Sequence, residues 1–242
     1  MKALKLSSQL PLTAFIALVF FALAVLPAMS LFYGLRTAKE RSPNAKKLIA
    51  RYVQTMARGW IIAIAVLIAW RLAGRSFDEL GLGWPPAPLE LAAIAFALIA
   101  VALLAFQTTF GFKPTDKDIA TYKRALDALK LAPRTLRELA VFIPVSLTAG
   151  VWEELFYRGF LMWFFEPVVG VIGAVAITAI VFGIGHAYQG WRGVLRTTAV
   201  GALFGAGYAA TGSLWWLMIL HAAIDVFAGV LAWRVYSRHR DK

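Results

Sequence analysis

The stretch AVFIPVSLTAGVWEELFYRGFLMWFF, residues 140–165, decides the fold. It exceeds the about 20 mostly apolar residues that carry a helix across a bilayer's hydrocarbon core, yet it holds Glu153, Glu154 and Arg158. Each charge near the bilayer centre costs about 2.5–3.5 kcal/mol even on the mildest scale, so such residues usually pair and serve a function. The same pattern of long apolar runs extends outward in both directions. Spans are expected at 10–35, 54–73, 88–112, 140–165, 168–187, 194–211 and 214–234. The fold class is therefore all-α, a polytopic membrane protein of about seven transmembrane helices, with a core bundle carrying the polar residues.

Composition agrees. Of the 242 residues, 60% are hydrophobic, and the mean hydropathy of +0.70 lies well outside the range of soluble domains. There is no cysteine, which excludes disulfides, thiol nucleophiles and iron–sulfur ligation. With His186, His221 and His239 as the complete set of histidines, any metal site must recruit carboxylates. Lys2 and Lys5 ahead of an apolar run, with Ala28 near a cleavage position, resemble a secretory signal. The run from 10 to 35 outlasts an h-region of about 7–15 residues, so a retained first helix is expected.

The net charge of +12 is explained by topology and not by nucleic acid, since no basic patch with a recognition motif is visible. Lys and Arg number six in residues 36–51, seven in 113–138, two in 188–196 and four from 234 onward, nineteen of the 25 in the chain. The alternate connections are nearly bare of them. This alternation predicts seven crossings with the N-terminus outside and the C-terminus cytoplasmic. Trp60, Trp84, Trp163, Trp191, Trp215, Trp216 and Trp233 fall near expected helix ends, whereas Trp152 does not. Within 113–138, Ile119, Tyr122, Leu126 and Leu129 recur at helical spacing among charges, which describes either a helix on the membrane surface or a solvated connector. Gly201 and Gly205 are read as close-packing positions between the last two spans.

Between 140 and 233 the ionisable residues outside the loops reduce to Glu153, Glu154, Arg158, His186, His221 and Asp225. At about 100° per residue, Glu154 and Arg158 share one helix face and can neutralise each other, leaving Glu153 to face a polar cavity as a base. His221 and Asp225 repeat the four-residue spacing, so the carboxylate is expected to orient the imidazole. Phe182 and His186 are spaced likewise. If the helix carrying Glu153 starts near Arg137, Glu153 lies deepest; if its membrane-embedded part starts at Pro144, the depths converge and the site opens toward the cytoplasm.

Glu-Glu-Leu-Phe-Tyr-Arg at 153–158, Phe-Gly-Ile-Gly-His at 182–186 and His-Ala-Ala-Ile-Asp at 221–225 resemble, in order, the motifs EExxxR, FxxxH and Hxxx(N/D). These belong to the CAAX protease and bacteriocin-processing (CPBP, or Abi) family of intramembrane proteases. The resemblance covers roughly 140–235. It implies an endopeptidase in which Glu153 and His186 activate water, His221 and Asp225 support the oxyanion, and Glu154 with Arg158 act as structural and electrostatic partners. Asp225 stands where many members have Asn, and an ionised carboxylate cannot donate to an oxyanion, so it is favoured as the orienter of His221.

The implied partners are a lipid bilayer and a membrane-tethered protein or peptide, prenylated CaaX proteins among them, and the implied location is a bacterial inner membrane. The resemblance leaves two mechanisms, a metal-free Glu/His one, which is favoured, and zinc held by His186, His221 and Glu153. The domains implied are N-terminal helices and connector at 1–139, a catalytic core at 140–235 and a basic cytoplasmic tail at 236–242. Two other classes share intramembrane Glu, His and Asp: a proton-coupled transporter and a non-catalytic immunity or scaffold protein. No internal repeat supports the transporter.

Overall fold

A computed structural model describes residues 12–38, 40, 43–84 and 87–240. Lys2, Lys5, Lys39, Arg41, Pro85, Pro86, the start of the first expected span and the last two tail residues lie outside the described residues. The described residues are mostly helical, with no strand among them. Helix α1 spans Leu12–Thr37. It is followed by α2 (Ala45–Leu72), α3 (Pro88–Phe106), α4 (Asp116–Leu129), α5 (Leu136–Glu153), α6 (Trp163–Gly185), α7 (Trp191–Thr211) and α8 (Trp215–Arg240). Five segments are long and apolar enough to cross a membrane: Leu12–Thr37, Ala45–Leu72, Pro88–Gly111, Leu136–Gly185 and Trp215–Arg238.

The fourth of these is a hairpin. Continuous helix runs from Leu136 through α5, a π-helical turn at Glu154–Met162 and the start of α6, until Gly170 takes φ 70° and ψ 171°. That conformation is open to glycine and strained for any other residue, so the chain reverses there. After the reversal Phe182 lies against Tyr157, with ring centroids 5.0 Å apart. Helix α7 follows as a further leg, though it is less apolar than the five. Among the described residues the basic segments gather at one end of these legs. Arg51 donates to the Lys130 carbonyl (3.4 Å), Tyr52 to the Leu131 carbonyl (2.5 Å), Arg134 to the Pro43 carbonyl (3.0 Å) and Tyr236 to Asp127 (2.8 Å). Glu40 sits among them, and hydrogen bonds from Arg51 and Lys47 hold its carboxyl below the usual carboxylate range. At the opposite end the sparsely charged connections join, as Leu214 donates to the Gly81 carbonyl (2.8 Å) and Trp215 to that of Gly83 (3.1 Å).

Segment 113–138 contains a helix. The Thr115 hydroxyl accepts from the Asp118 amide while the Asp118 carboxylate accepts from that of Thr115, satisfying the first-turn donors of α4. Ile119 is buried, and Leu126 packs with Ala232 and Tyr236 of α8.

Helix α5 begins at Leu136, next to the Arg137 start that the sequence allows, where Thr135 and Glu138 form a reciprocal cap, and it runs through Pro144. One expectation needs correction. Gly201 and Gly205 are close-packing positions, but their neighbours are Ala179, Phe182 and Val175 of α6, not the last helix. Helices α5 and α8 approach closely at Gly150 instead, where an added Cβ would stand 2.7 Å from the Met218 carbonyl oxygen. Backbone cannot yield there as a side chain can. We therefore expect Gly150→Ala to destabilise the bundle by about 1–3 kcal/mol, the usual cost of overpacking, measured by thermal unfolding in detergent. An unchanged midpoint would show that α5 and α8 can separate freely.

Candidate active site

The end of α5 and the π-helical turn carry Glu153, Glu154 and Arg158, α6 ends on His186, and α8 carries His221 and Asp225. Antiparallel packing brings them together. Gly150 of α5 lies against Met218 and Ala222 of α8, one turn from Glu153 and His221. Irregular helices of this kind recur at functional sites, because the i→i+5 pattern re-aims side chains without ending the helix.

Glu154 is the centre of a buried triad. One of its oxygens accepts from Arg158 Nη1 at 2.9 Å and lies 2.6 Å from His221 Nδ1. Glu154 is 0% exposed, Arg158 1% and His221 8%. The guanidinium also donates to the Gly201 carbonyl (3.3 Å) and lies over the rings of Phe182 (4.5 Å) and Phe204 (5.4 Å). Planar delocalised charge suits such stacking. Glu154 and Arg158 thus meet as the spacing predicts.

The expected pairing of His221 with Asp225 is not what orients the ring. Asp225 Oδ2 stands 3.8 Å from His221 Nε2, beyond hydrogen-bond distance, while Glu154 holds Nδ1. Asp225, with 39% of its side chain exposed, lines a cavity of about 190 Å³ with Arg196, Thr197, Phe204, His221 and Ile224.

Glu153 Oε2 lies 3.9 Å from His186 Nε2 and the same distance from His221 Nε2. These gaps are too long for direct hydrogen bonds and suit a bridging molecule. This oxygen is buried without a hydrogen-bond partner. His186 Nδ1 faces the Phe182 carbonyl at 2.8 Å; a carbonyl only accepts, so Nδ1 carries the proton and Nε2 presents a lone pair. On the Glu153 side a second cavity, of about 230 Å³, reaches from Tyr33, Arg51 and Leu131 at the basic end to Trp152, Tyr157 and His186. Sequence reading missed the part played here by α1 and α2, and no motif marks it.

Zinc fits this arrangement poorly. Among the described residues no group of three or more His, Asp or Glu side chains is placed to hold a metal ion, and His186, His221 and Glu153 form no such group.

Fold and site together define a polytopic helical membrane protein with a carboxylate–imidazole centre inside its bundle. Residues 135–227, which contain all three motifs, match the family described as type II CAAX prenyl endopeptidase Rce1-like. The match covers the segment that carries the motifs and supports the resemblance to the CAAX protease and bacteriocin-processing family. Comparison with curated proteins and with solved structures gives no match.

Proposed function

We propose that the protein is an intramembrane endopeptidase that hydrolyses peptide bonds of membrane-associated, CAAX-type substrates with water activated by Glu153 and His186. The observation that carries this reading is the convergence of both histidine Nε2 atoms on one unpartnered Glu153 oxygen beside a cavity. A water in the gap gives one proton to Glu153 and directs the other at the His186 lone pair. The hydroxide forms the bond to the peptide carbonyl carbon, and the proton on Glu153 passes to the departing amine as the C–N bond breaks. His221 carries a second proton on Nε2, which it points at the carbonyl oxygen as negative charge develops, with Glu154 as counter-charge behind the ring. Glu154 and Arg158 act by positioning His221. Asp225 stands beside His221 Nε2 as a further electrostatic neighbour. No step requires a metal.

The basic end faces the cytoplasm in this reading, following the positive-inside rule, in a bacterial inner membrane with the N-terminus outside. The site then receives substrate from that face. The test is cleavage of a farnesylated CaaX peptide and its unprenylated counterpart by purified protein in liposomes, with and without a strong chelator. We expect the farnesylated peptide to be preferred, the chelator to leave the rate unchanged, and His186→Ala to lower it by about 10²–10⁴-fold, the range for a general-base partner. Full activity in His186→Ala sinks the site assignment, and loss with chelator sinks the metal-free mechanism. Proton flux without cleavage favours a transporter.

A further inference from the structure

His186 stands where α6 ends. Its amide donates to the Gly183 carbonyl, three residues back, at 2.9 Å, so the last turn is tightened and the Phe182 carbonyl is left for the imidazole Nδ1 at 2.8 Å. The chain then makes one short turn, Ala187–Gln189, and breaks at Gly190 with φ 77°. Helix ends open more readily than helix centres, so a ring carried there needs an outside hold. Inside the turn the Gln189 amide donates to the His186 carbonyl and the Gly190 amide to that of Ala187, both at 2.9 Å. Tyr188 behaves differently. In a continuing α-helix its amide would donate to the Ile184 carbonyl, but here it donates to the hydroxyl of Ser30 in α1, at 3.1 Å. Ser30 is 8% exposed and lies 158 positions away in sequence. Gly34, one turn further along α1, lets the backbones close in, since a Cβ there would stand 3.1 Å from Tyr188 Cα. The Tyr33 ring meets that of Tyr188 edge-on at 6.0 Å, and the Tyr188 ring lies 5.8 Å from that of His186.

We propose that Ser30 is a positioning residue for His186. By taking the Tyr188 amide out of the helix ladder, its hydroxyl keeps the last turn of α6 tight, the Phe182 carbonyl free for Nδ1–H, and Nε2 aimed at the gap beside Glu153. The consequence for rate rests on the peptidase reading; the geometry does not. Without an acceptor at Ser30, a buried amide is left unpaired, and the Ile184 carbonyl is its nearest helical remedy. Rewinding the turn in that way sets the His186 amide in competition with the ring for the Phe182 carbonyl, and the ring loses the bond that fixes its tautomer. Misplacing a reacting group by about 1 Å can cost about a hundredfold in rate. Ser30 lies outside the segment matched to the family, so the site of this chain depends on a helix which that segment does not contain.

Tautomer and rate, read on the same full-length protein in liposomes, test this. The chain has three histidines, so labelling them with 15N gives a sparse spectrum in which the signal absent from His186→Ala belongs to His186. We expect the wild type to show Nδ1 protonated and Nε2 bare at neutral pH. Ser30→Ala should show the two nitrogens averaging between tautomers, with kcat lowered about tenfold to a hundredfold and KM within about twofold. Ser30→Thr keeps the accepting oxygen and retains the wild-type spectrum and most of the rate. Thr37→Val removes another buried hydroxyl of α1, one bonded to its own helix at the Tyr33 carbonyl (2.8 Å), and should change neither readout. A Ser30→Ala protein with the wild-type spectrum overturns the proposal, whether its rate is unchanged or falls together with its melting temperature, as a merely structural hydroxyl would make it. A shifted His186 spectrum in Ser30→Ala, beside a wild type that cleaves no peptide, keeps the positioning role and removes the peptidase reading.

Discussion

Glu153→Gln is expected to lower peptide cleavage by about 10²–10⁴-fold, the contribution of a positioned general base, while leaving the melting temperature near that of the wild type. The two halves of this expectation come from one observation. Glu153 Oε2 has no hydrogen-bond partner in the protein, so an amide of the same shape removes no structural bond, and it relieves the burial of an unpaired charge. What it removes is a carboxylate oxygen, 3.9 Å from the Nε2 atoms of two imidazoles, that can take a proton from water. Single-turnover cleavage in liposomes separates the chemical step from product release. A variant with activity within about tenfold of wild type would place the base elsewhere, with His186 the next candidate.

The bundle was largely legible because its cues are local. Runs of apolar residues located the legs, and the alternation of Lys and Arg told which connections meet: Arg51 with Lys130 and Arg134 with Pro43 at one end, Gly81 with Leu214 at the other. The helix start at Leu136 is also written in the chain as Thr135-x-x-Glu138, a reciprocal cap. Small residues were less informative. Gly201 signals that something approaches closely, but only the tertiary arrangement says that it is α6.

The site was legible by membership more than by pairing. Intramembrane charge picked out the six residues, and four-residue spacing gave the Glu154–Arg158 pair correctly. The same rule suggested Asp225 for His221, yet the ring turns to Glu154, 67 positions away in sequence. A fully buried carboxylate already facing a guanidinium competes better for the imidazole than one whose side chain is 39% exposed.

Arg158→Met should destabilise the folded bundle by about 3–5 kcal/mol, the cost of leaving one member of a buried ion pair uncompensated. The guanidinium is 1% exposed, and methionine fills a similar volume between Phe182 and Phe204, so a cavity contributes little. The cost is the Glu154 carboxylate, 0% exposed and left with His221 as its single hydrogen-bond partner. Neutralising that carboxylate should recover most of the loss, so Glu154→Gln combined with Arg158→Met is expected to melt closer to wild type than Arg158→Met alone. The glutamine oxygen can still accept from His221 Nδ1, which keeps the ring oriented, but it supplies no counter-charge behind it. The double variant should therefore regain stability without regaining cleavage. Thermal unfolding and peptide hydrolysis on the same preparations decide the matter: recovery of both would show that Glu154 serves the fold alone, and recovery of neither would show that Arg158 holds α7, through the Gly201 carbonyl, more than it neutralises Glu154.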